Sequence, residues 1–179
     1  MGLWHNKIPV DVVAESDPTA RSRLWAARHA SAYAVAAASP GKRHRSTDVC
    51  VPLSELAGAV SFARAELERR GLVAGIVGHA GDGNVHLSLM VDPDDEAELR
   101  ASDELVEALV TDALARGGTC TGEHGIGIGK IHALEREHGD LVPLMQGVKQ
   151  VFDPNGIMNP GKIVDAPPIA TVPCGRSRS

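Results

Sequence analysis

Residues 72–91 read LVAGIVGHAGDGNVHLSLMV, and they carry the clearest signal of the fold. The apolar run over residues 72–79 is typical of a buried strand. Asp82-Gly83 is a turn signal, and the residues that follow it alternate in polarity. We therefore expect an antiparallel hairpin with two different faces. One face would carry Val85, Leu87 and Leu89, and the other His86, Ser88 and Met90.

Helical patterns lie on both sides of this hairpin in the sequence. Asp17 as N-cap and Pro18 at the first helical position predict a helix that ends near Ser39. Apolar residues at helical spacing predict a second helix over residues 53–70 and a third over residues 93–116. Glycines directly follow both of these segments, which is typical of a helix end. Further helical segments are expected between the next glycine-rich turn and the end of the domain.

Two short β-prone segments complete the predicted sheet, at residues 49–51 and 119–121. The basic cluster at residues 42–45 follows Pro40-Gly41 and is interpreted as a solvated loop, with an anion-contacting loop as the alternative. Helices that alternate with hairpin strands indicate an α+β fold. We expect a mainly antiparallel sheet with helices packed on one face.

Composition limits the kinds of function that fit this chain. It has 179 residues, a net charge of −5, no long basic run and three cysteines without a paired metal spacing. These features favour one modest domain and argue against a nucleic-acid partner. No stretch is long enough for a membrane span, and the cytoplasm is the expected location. We expect an extended segment at 1–16, the domain at 17–164 and a disordered tail at 165–179.

Two glycine-rich turns carry the chemistry. His79 and His86 flank a Gly-Asp-Gly-Asn turn, which would fold the strand back so that both imidazoles reach one rim. Glu123, on the second turn, is the natural third ligand of a divalent metal such as zinc. The alternative is that each histidine is only a hydrogen-bonded turn residue.

Other polar residues are candidates with weaker signals. His124 follows Glu123, and because adjacent side chains diverge it would be free to act as a general base. Its alternative role is to cap the next helix. Arg28 on the first helix could bind a substrate carboxylate, or it could be an ordinary exposed helix residue. The loop Asn159-Pro160-Gly161-Lys162 is, by itself, only a chain reversal.

At these residues the chain resembles the C-terminal region of the FAD-linked oxidases, over roughly residues 20–164. Within that family the cytochrome-type D-lactate dehydrogenases are most similar, and glycolate oxidase subunits and D-2-hydroxyglutarate dehydrogenases are related. Five ordered motifs make the resemblance specific. They are LWAARH at 24–29, STDVCVP at 46–52, GHAGDGNVH at 78–86, GTCTGEHGIG at 118–127 and DPNGIMNPGK at 153–162.

The resemblance implies a ferredoxin-like α+β domain that caps a flavin held by a separate domain. It implies oxidation of a D-2-hydroxy acid, D-lactate to pyruvate, with hydride transfer to FAD and a zinc or manganese ion. In this sequence the matching metal ligands are His79, His86 and Glu123.

Three further roles are implied by position in the motifs. His124 matches the base that removes the hydroxyl proton, Arg28 matches a substrate-carboxylate arginine, and Asn159 lies where the family approaches the flavin.

The chain also departs from the family. No segment of the 179 residues resembles the family's FAD-binding domain or the first part of its C-terminal domain. A lysine that some cousins place just before Asp48 is also not matched, since Ser46 or Thr47 stands there. The expected partner is therefore a FAD-domain chain or a missing N-terminal segment, which could also hold the protein at the inner membrane. The alternatives are a non-catalytic remnant and a stand-alone metal-binding module.

Overall fold

The computed structural model describes residues 15–165 and divides the chain into two compact units, before and after residue 40. The described part of the first unit contains helix α1, Pro18–Ala37. The Asp17 carboxylate accepts a hydrogen bond from the Ala20 amide at 2.8 Å, so the predicted N-cap is confirmed. The predicted extended segment lies almost entirely outside the described residues, and so does the predicted tail.

The second unit is built on the predicted hairpin of β3, Ala74–His79, and β4, Asn84–Val91. Two short strands, β1, Arg43–Ser46, and β2, Val49–Cys50, also pair antiparallel with β4. Because β3 pairs with the same β4 residues as both of them, β1 and β2 share the opposite edge of β4. The central strand β4 is therefore hydrogen-bonded along both edges.

All eight residues of β4 are buried, including His86, Ser88 and Met90 on the face opposite Val85, Leu87 and Leu89. Val85, Leu87 and Leu89 lie in the apolar core as predicted. The other face is also covered, and His86 is only 8% exposed. A central strand with both edges paired leaves little access to solvent, so its polar residues are enclosed with the apolar ones.

Two helices pack against each other and against β4 to form the core. Helix α2, Leu56–Arg70, follows a 3-10 turn and ends at Gly71, whose φ of 65° is left-handed, as the sequence predicted. Helix α3, Glu96–Ala115, begins after the N-cap Asp95, which accepts from two amides of the first turn. The α+β prediction is confirmed.

Three local predictions differ from the structure. The basic segment at residues 42–45 is not a loop, because residues 43–46 form β1 and pair with the end of β4. Residues 119–121 do not form a strand; Thr119 makes a single bridge to Cys50, after which the chain turns towards Asp48. The helical spacing predicts a buried stripe of Leu99, Val106, Leu109 and Ala113 on α3, whereas the buried residues include Leu105 and Val110 in place of Leu99 and Val106.

The C-terminal part of the second unit is helical, as expected. Helix α4, Ile131–His138, is followed by a 3-10 turn and by helix α5, Val142–Phe152. A turn at residues 153–156 follows α5. Within residues 15–165, no helix combines the length and the apolar character that a membrane crossing needs.

Candidate functional site

The hairpin register brings His79 and His86 to one face of the sheet. His79, the last residue of β3, pairs with Asn84, and His86 lies two residues further along β4. Paired residues and residues two apart share a face, so both imidazoles project to the same side. Their ring centroids are 5.8 Å apart in an edge-to-face arrangement. The structure therefore brings the two histidines together as the sequence predicted.

The hairpin turn needs glycine at one position. Gly83 has a φ of 74°, and a Cβ atom there would lie 1.9 Å from the carbonyl oxygen of Val51. The Val51 amide in turn donates to the Gly83 carbonyl at 2.9 Å. This close approach fixes the turn that carries His79 against the loop after β2.

Glu123 joins the two histidines from a distant part of the chain. Its Oε1 atom lies 2.7 Å from Nε2 of His86 and 3.6 Å from Nε2 of His79. One ligand atom from each of the three residues lies within 4.8 Å of the others. Two imidazole nitrogens and one carboxylate oxygen form a donor set that suits zinc or another borderline divalent ion.

The environment of His86 fits a metal ligand. Its Nδ1 atom lies 3.1 Å from the Thr47 carbonyl oxygen, which can only accept, so Nδ1 carries the proton. Nε2 then offers a lone pair towards Glu123. This Nε2 atom is buried and makes no hydrogen bond, although Oε1 of Glu123 lies 2.7 Å from it. A cation shared by the two atoms would satisfy both of them.

His124 lies beside this cluster and does not diverge from it. Its ring stacks on that of His86 at 4.9 Å with an interplanar angle of 16°, and its Nε2 lies 3.8 Å from Oε1 of Glu123. The expected divergence of adjacent side chains is therefore not met, because the backbone curves around Asp48. The next helix begins only at Ile131, so His124 is not its cap. Its half-exposed side chain can still reach a ligand from solvent.

Asp48 is the central residue that sequence reasoning missed. Its carboxylate is 1% exposed and accepts hydrogen bonds from the Thr121 hydroxyl and from the amides of residues 122, 123 and 124. Burial alone would raise the pKa of Asp48, but these hydrogen bonds and the nearby Lys130 outweigh it and hold the pKa well below its usual range. An acidic residue directly before a β-prone apolar segment was the available signal.

Lys130 completes this arrangement from the start of α4. Its Nζ donates to the carbonyl oxygens of Asp48 and Cys120 at 2.6 and 2.8 Å, and it lies 3.4 Å from Oδ2 of Asp48. The ammonium group thus balances the buried carboxylate and ties three segments together.

Arg28 and Asn159 are placed as follows. Arg28 lies on α1 in the first unit, half-buried, with its Cζ atom 5.6 Å from the centroid of the Trp25 ring. Asn159 lies on an exposed turn of the second unit with a φ of 47°, and its Oδ1 accepts from Lys162 at 3.2 Å. Their proposed roles stay predictions.

Comparison with known proteins identifies the family. Residues 3–163 match the C-terminal domain of the FAD linked oxidases. The chain belongs to this family. A solved structure, 4-ethylphenol oxidase from Gulosibacter chungangensis in an isoeugenol complex, has a TM-score of 0.56 at 20% identity, over 86% of this chain and 32% of its own. That likeness shows the fold alone.

Curated relatives carry related names. The chain is 43% identical over 155 residues to the mitochondrial D-lactate dehydrogenase [cytochrome] of Arabidopsis thaliana, covering 86% of this chain and 27% of that protein. It is 44% identical over 156 residues to a probable mitochondrial D-lactate dehydrogenase of Danio rerio, covering 87% and 31%. It is 33% identical over 153 residues to the glycolate oxidase subunit GlcD of Escherichia coli strain K12, covering 85% and 30%. The chain thus spans under a third of the length of these relatives.

Proposed function

We propose that this chain is the substrate- and metal-binding part of a FAD-dependent D-2-hydroxy-acid dehydrogenase that oxidises D-lactate to pyruvate. The observation that carries the proposal is the convergence of His79, His86 and Glu123 around the buried Nε2 atom of His86, which makes no hydrogen bond. The names of the relatives, D-lactate dehydrogenase and glycolate oxidase, support a small 2-hydroxy acid as substrate.

The substrate is proposed to bind at the exposed side of this cluster, where the side chains of Glu123 and His124 are 47% and 46% exposed. A 2-hydroxy acid presents a carboxylate and a hydroxyl oxygen that can bind one ion together. A zinc or manganese ion held by the three residues would lower the pKa of the substrate hydroxyl. His86 would be held as a neutral ligand through its hydrogen bond to Thr47.

His124 is proposed as the general base. Its imidazole stacks on His86 and so lies beside the cluster. Its side chain is 46% exposed, so it can accept the proton of a substrate hydroxyl that binds there. Arg28 is proposed to bind the substrate carboxylate, for which a guanidinium offers two parallel hydrogen bonds.

The flavin is proposed to come mainly from a FAD-binding domain, on another chain or on a further N-terminal segment, with Asn159 close to it. The exposed turn at Asn159 is too small to enclose FAD. The described residues therefore define no chemical step on the flavin. The apolar face of α5 supports such a partner, since Leu144, Val148 and Val151 share one side of the helix and are 66%, 52% and 77% exposed. The cytoplasmic location stays a prediction, whereas the names of the two D-lactate dehydrogenase relatives place those proteins in mitochondria.

Metal analysis tests the proposed metal site of His79, His86 and Glu123. We expect about one divalent ion per chain in the wild type and loss of that ion in His86→Ala. The control is His132→Ala, because His132 has a 94% exposed side chain on α4 outside the cluster. Equal metal content in folded wild type and His86→Ala would refute the site.

Turnover tests the rest of the proposal. The chain would be co-expressed with a candidate FAD-domain chain, and flavin reduction by D-lactate, L-lactate and glycolate would be followed without oxygen. We expect reduction by D-lactate, and a loss of about 10²–10⁴-fold in His124→Ala with the metal retained. A complex that binds metal and flavin but is reduced by none of these acids would favour a metal-binding module or a non-catalytic remnant.

A further inference from the structure

Asp48 holds the turn that carries Glu123 and His124, although neither its side chain nor its segment belongs to the predicted ligand set. We propose that Asp48 is a positioning residue, which sets the affinity of the metal site by fixing the backbone of residues 122–124 and does not itself bind the ion. This inference rests on the proposed metal site and adds a determinant of its affinity.

A competing reading is that Asp48 is a ligand, because Asp48, His86 and His124 also bring three ligand atoms within 4.8 Å of one another. The acceptor atoms of Asp48 argue against it. Oδ2 receives the Thr121 hydroxyl at 2.6 Å and the amides of residues 122, 123 and 124 at 2.9, 3.1 and 3.0 Å. An ion on this oxygen would have to displace donors that are buried with it.

The second carboxylate oxygen is no better placed. Oδ1 lies 3.8 Å from Nδ1 of His86, and that nitrogen is already bonded to the Thr47 carbonyl at 3.1 Å. A metal between Asp48 and His86 would therefore need the opposite tautomer and a broken buried hydrogen bond. The set formed by His79, His86 and Glu123 requires neither change.

The hydrogen bonds explain how Asp48 acts on the site. Three successive amides that point at one oxygen fix the backbone direction at Glu123 and His124. The side chains of these two residues are 47% and 46% exposed, so packing restrains them little. Their approach to His86 is therefore set by the backbone, and the backbone is set by Asp48.

The turn is also closed sterically on the same side. A Cβ atom on Gly122 would lie 2.4 Å from Nδ2 of Asn84 and 3.0 Å from Oδ1 of Asp48. The chain therefore approaches Asp48 as closely as glycine allows, which keeps the amide hydrogen bonds short.

Asp48→Asn tests the proposal, with Asp153→Asn as its matched control. Asp153 is also a buried carboxylate that accepts from backbone amides and a lysine, but its partners are Ile157, Met158 and Lys149. Zinc and manganese affinity would be measured against a competing chelator. In the metal-free proteins, hydrogen exchange at residues 122–124 would report the order of the turn. Neutral carboxamide acceptors form weaker hydrogen bonds than carboxylates.

We expect Asp48→Asn to bind one ion with about 10–100-fold lower affinity and to lose amide protection at residues 122–124. Asp153→Asn should keep both. Thr121→Val removes one hydrogen bond to the same oxygen and should give a smaller loss, and it replaces Asp48→Asn if that variant does not fold.

Each other outcome has a distinct meaning. Unchanged affinity in folded Asp48→Asn and Thr121→Val would overturn the positioning role and leave the metal site intact. Loss of the ion with full amide protection would make Asp48 a ligand and overturn the role as well. A wild type that binds neither metal would overturn the proposed function and this inference together.

Discussion

Two buried carboxylates, Asp48 and Asp153, use the same chemistry in different parts of the second unit. Each accepts hydrogen bonds from successive backbone amides, and each pairs with a lysine, Lys130 for Asp48 and Lys149 for Asp153. The two side chains are 1% and 5% exposed. We call these two sets of contacts the Asp48 network and the Asp153 network.

The networks differ in how far apart their members lie in the sequence. The partners of Asp153 lie four or five residues away, so this network needs only the end of α5 and the turn that follows. The hydrogen-bond partners of Asp48 lie 73–82 residues away, so this network joins the start of β2 to the turn that carries Glu123 and His124 and to the start of α4. The Asp153 network is therefore a local helix end, whereas the Asp48 network exists only in the complete fold.

The largest effect is expected when each carboxylate is deleted. Asp48→Ala leaves the amides of residues 122–124 and the Lys130 ammonium without their acceptor in the interior. Breaking a buried pair in this way costs about 3–5 kcal/mol of unfolding free energy. Asp153→Ala should cost clearly less, because its amides lie on a turn beside solvent.

Urea denaturation of both metal-free variants and the wild type measures this difference. Equal losses would show that the long-range contacts of Asp48 add nothing beyond a local turn, and the comparison would fail.

Close packing against the Asp48 network gives the next largest effect. In Gly122→Ala the new methyl group would meet Asn84 and Asp48, and overpacking of this kind costs about 1–3 kcal/mol. Gly129→Ala is the control, since a Cβ there meets nothing within 4 Å and its φ is ordinary. We expect loss of both stability and metal affinity in Gly122→Ala alone, measured by thermal unfolding and chelator competition. Matching behaviour of the two variants would contradict the tight approach at residue 122.

The same contrast explains what could be predicted from the sequence. The Asp17 cap, the helix end at Gly71 and the His79–His86 hairpin depend on neighbours within a few residues, and these predictions match the structure. The bonding of Asp48 and Lys130 depends on residues from distant segments, which periodicity and capping rules do not detect. A single sequence holds no direct signal for such pairs.

Two wrong expectations have the same origin. Residues 43–46 become a strand because the far end of β4 offers them a free edge, although their basic sequence favours a loop. Glu123 and His124 converge because their backbone wraps around Asp48, whereas adjacent side chains in an extended segment diverge. In both cases a long-range hydrogen bond overrides the local pattern.

The dependence of the unfolding free energy on pH should also distinguish the two networks. This effect should be smaller than those of the substitutions above. The hydrogen bonds to Asp48 hold its folded pKa far below the unfolded value of about 3.9. A depressed folded pKa contributes stability that is present above the unfolded pKa and lost as the pH falls towards the folded pKa. Below about pH 4, protonation of this one carboxylate makes the free energy of unfolding fall more steeply, by about 1.4 kcal/mol per pH unit.

The pKa of Asp153 is also lowered, mainly by the contact with Lys149 and further by hydrogen bonds from two amides, although burial alone would raise it. Both Asp48→Asn and Asp153→Asn should therefore flatten the curve of stability against pH as the pH falls below about 4. The flattening should continue to lower pH in Asp48→Asn, whose carboxyl has the more depressed pKa. Urea midpoints at intervals across this range, on metal-free protein, provide the test. A curve for Asp48→Asn that runs parallel to the wild type would mean that Asp48 is protonated equally in both states.

The smallest effect is expected on the solvent side of α5, the helix that carries Lys149. Phe152 is 78% exposed there and Val151 is 77% exposed, so neither contributes to the core of the second unit. Phe152→Ser and Val151→Ser should change the unfolding free energy by about 0.5 kcal/mol or less, because surface substitutions away from caps and cores have effects of that size. Val110→Ser is the control, since Val110 is 2% exposed in the core and its truncation to a polar residue should be strongly destabilising. Thermal unfolding at several protein concentrations separates two causes of any larger effect. If Phe152→Ser lowers the thermal unfolding midpoint only at high protein concentration, self-association of the chain covers the apolar face of α5. The face is then exposed only in the single chain. If the midpoint falls equally at every concentration, α5 packs within the chain, and the Asp153 network is then part of the core rather than a local helix end.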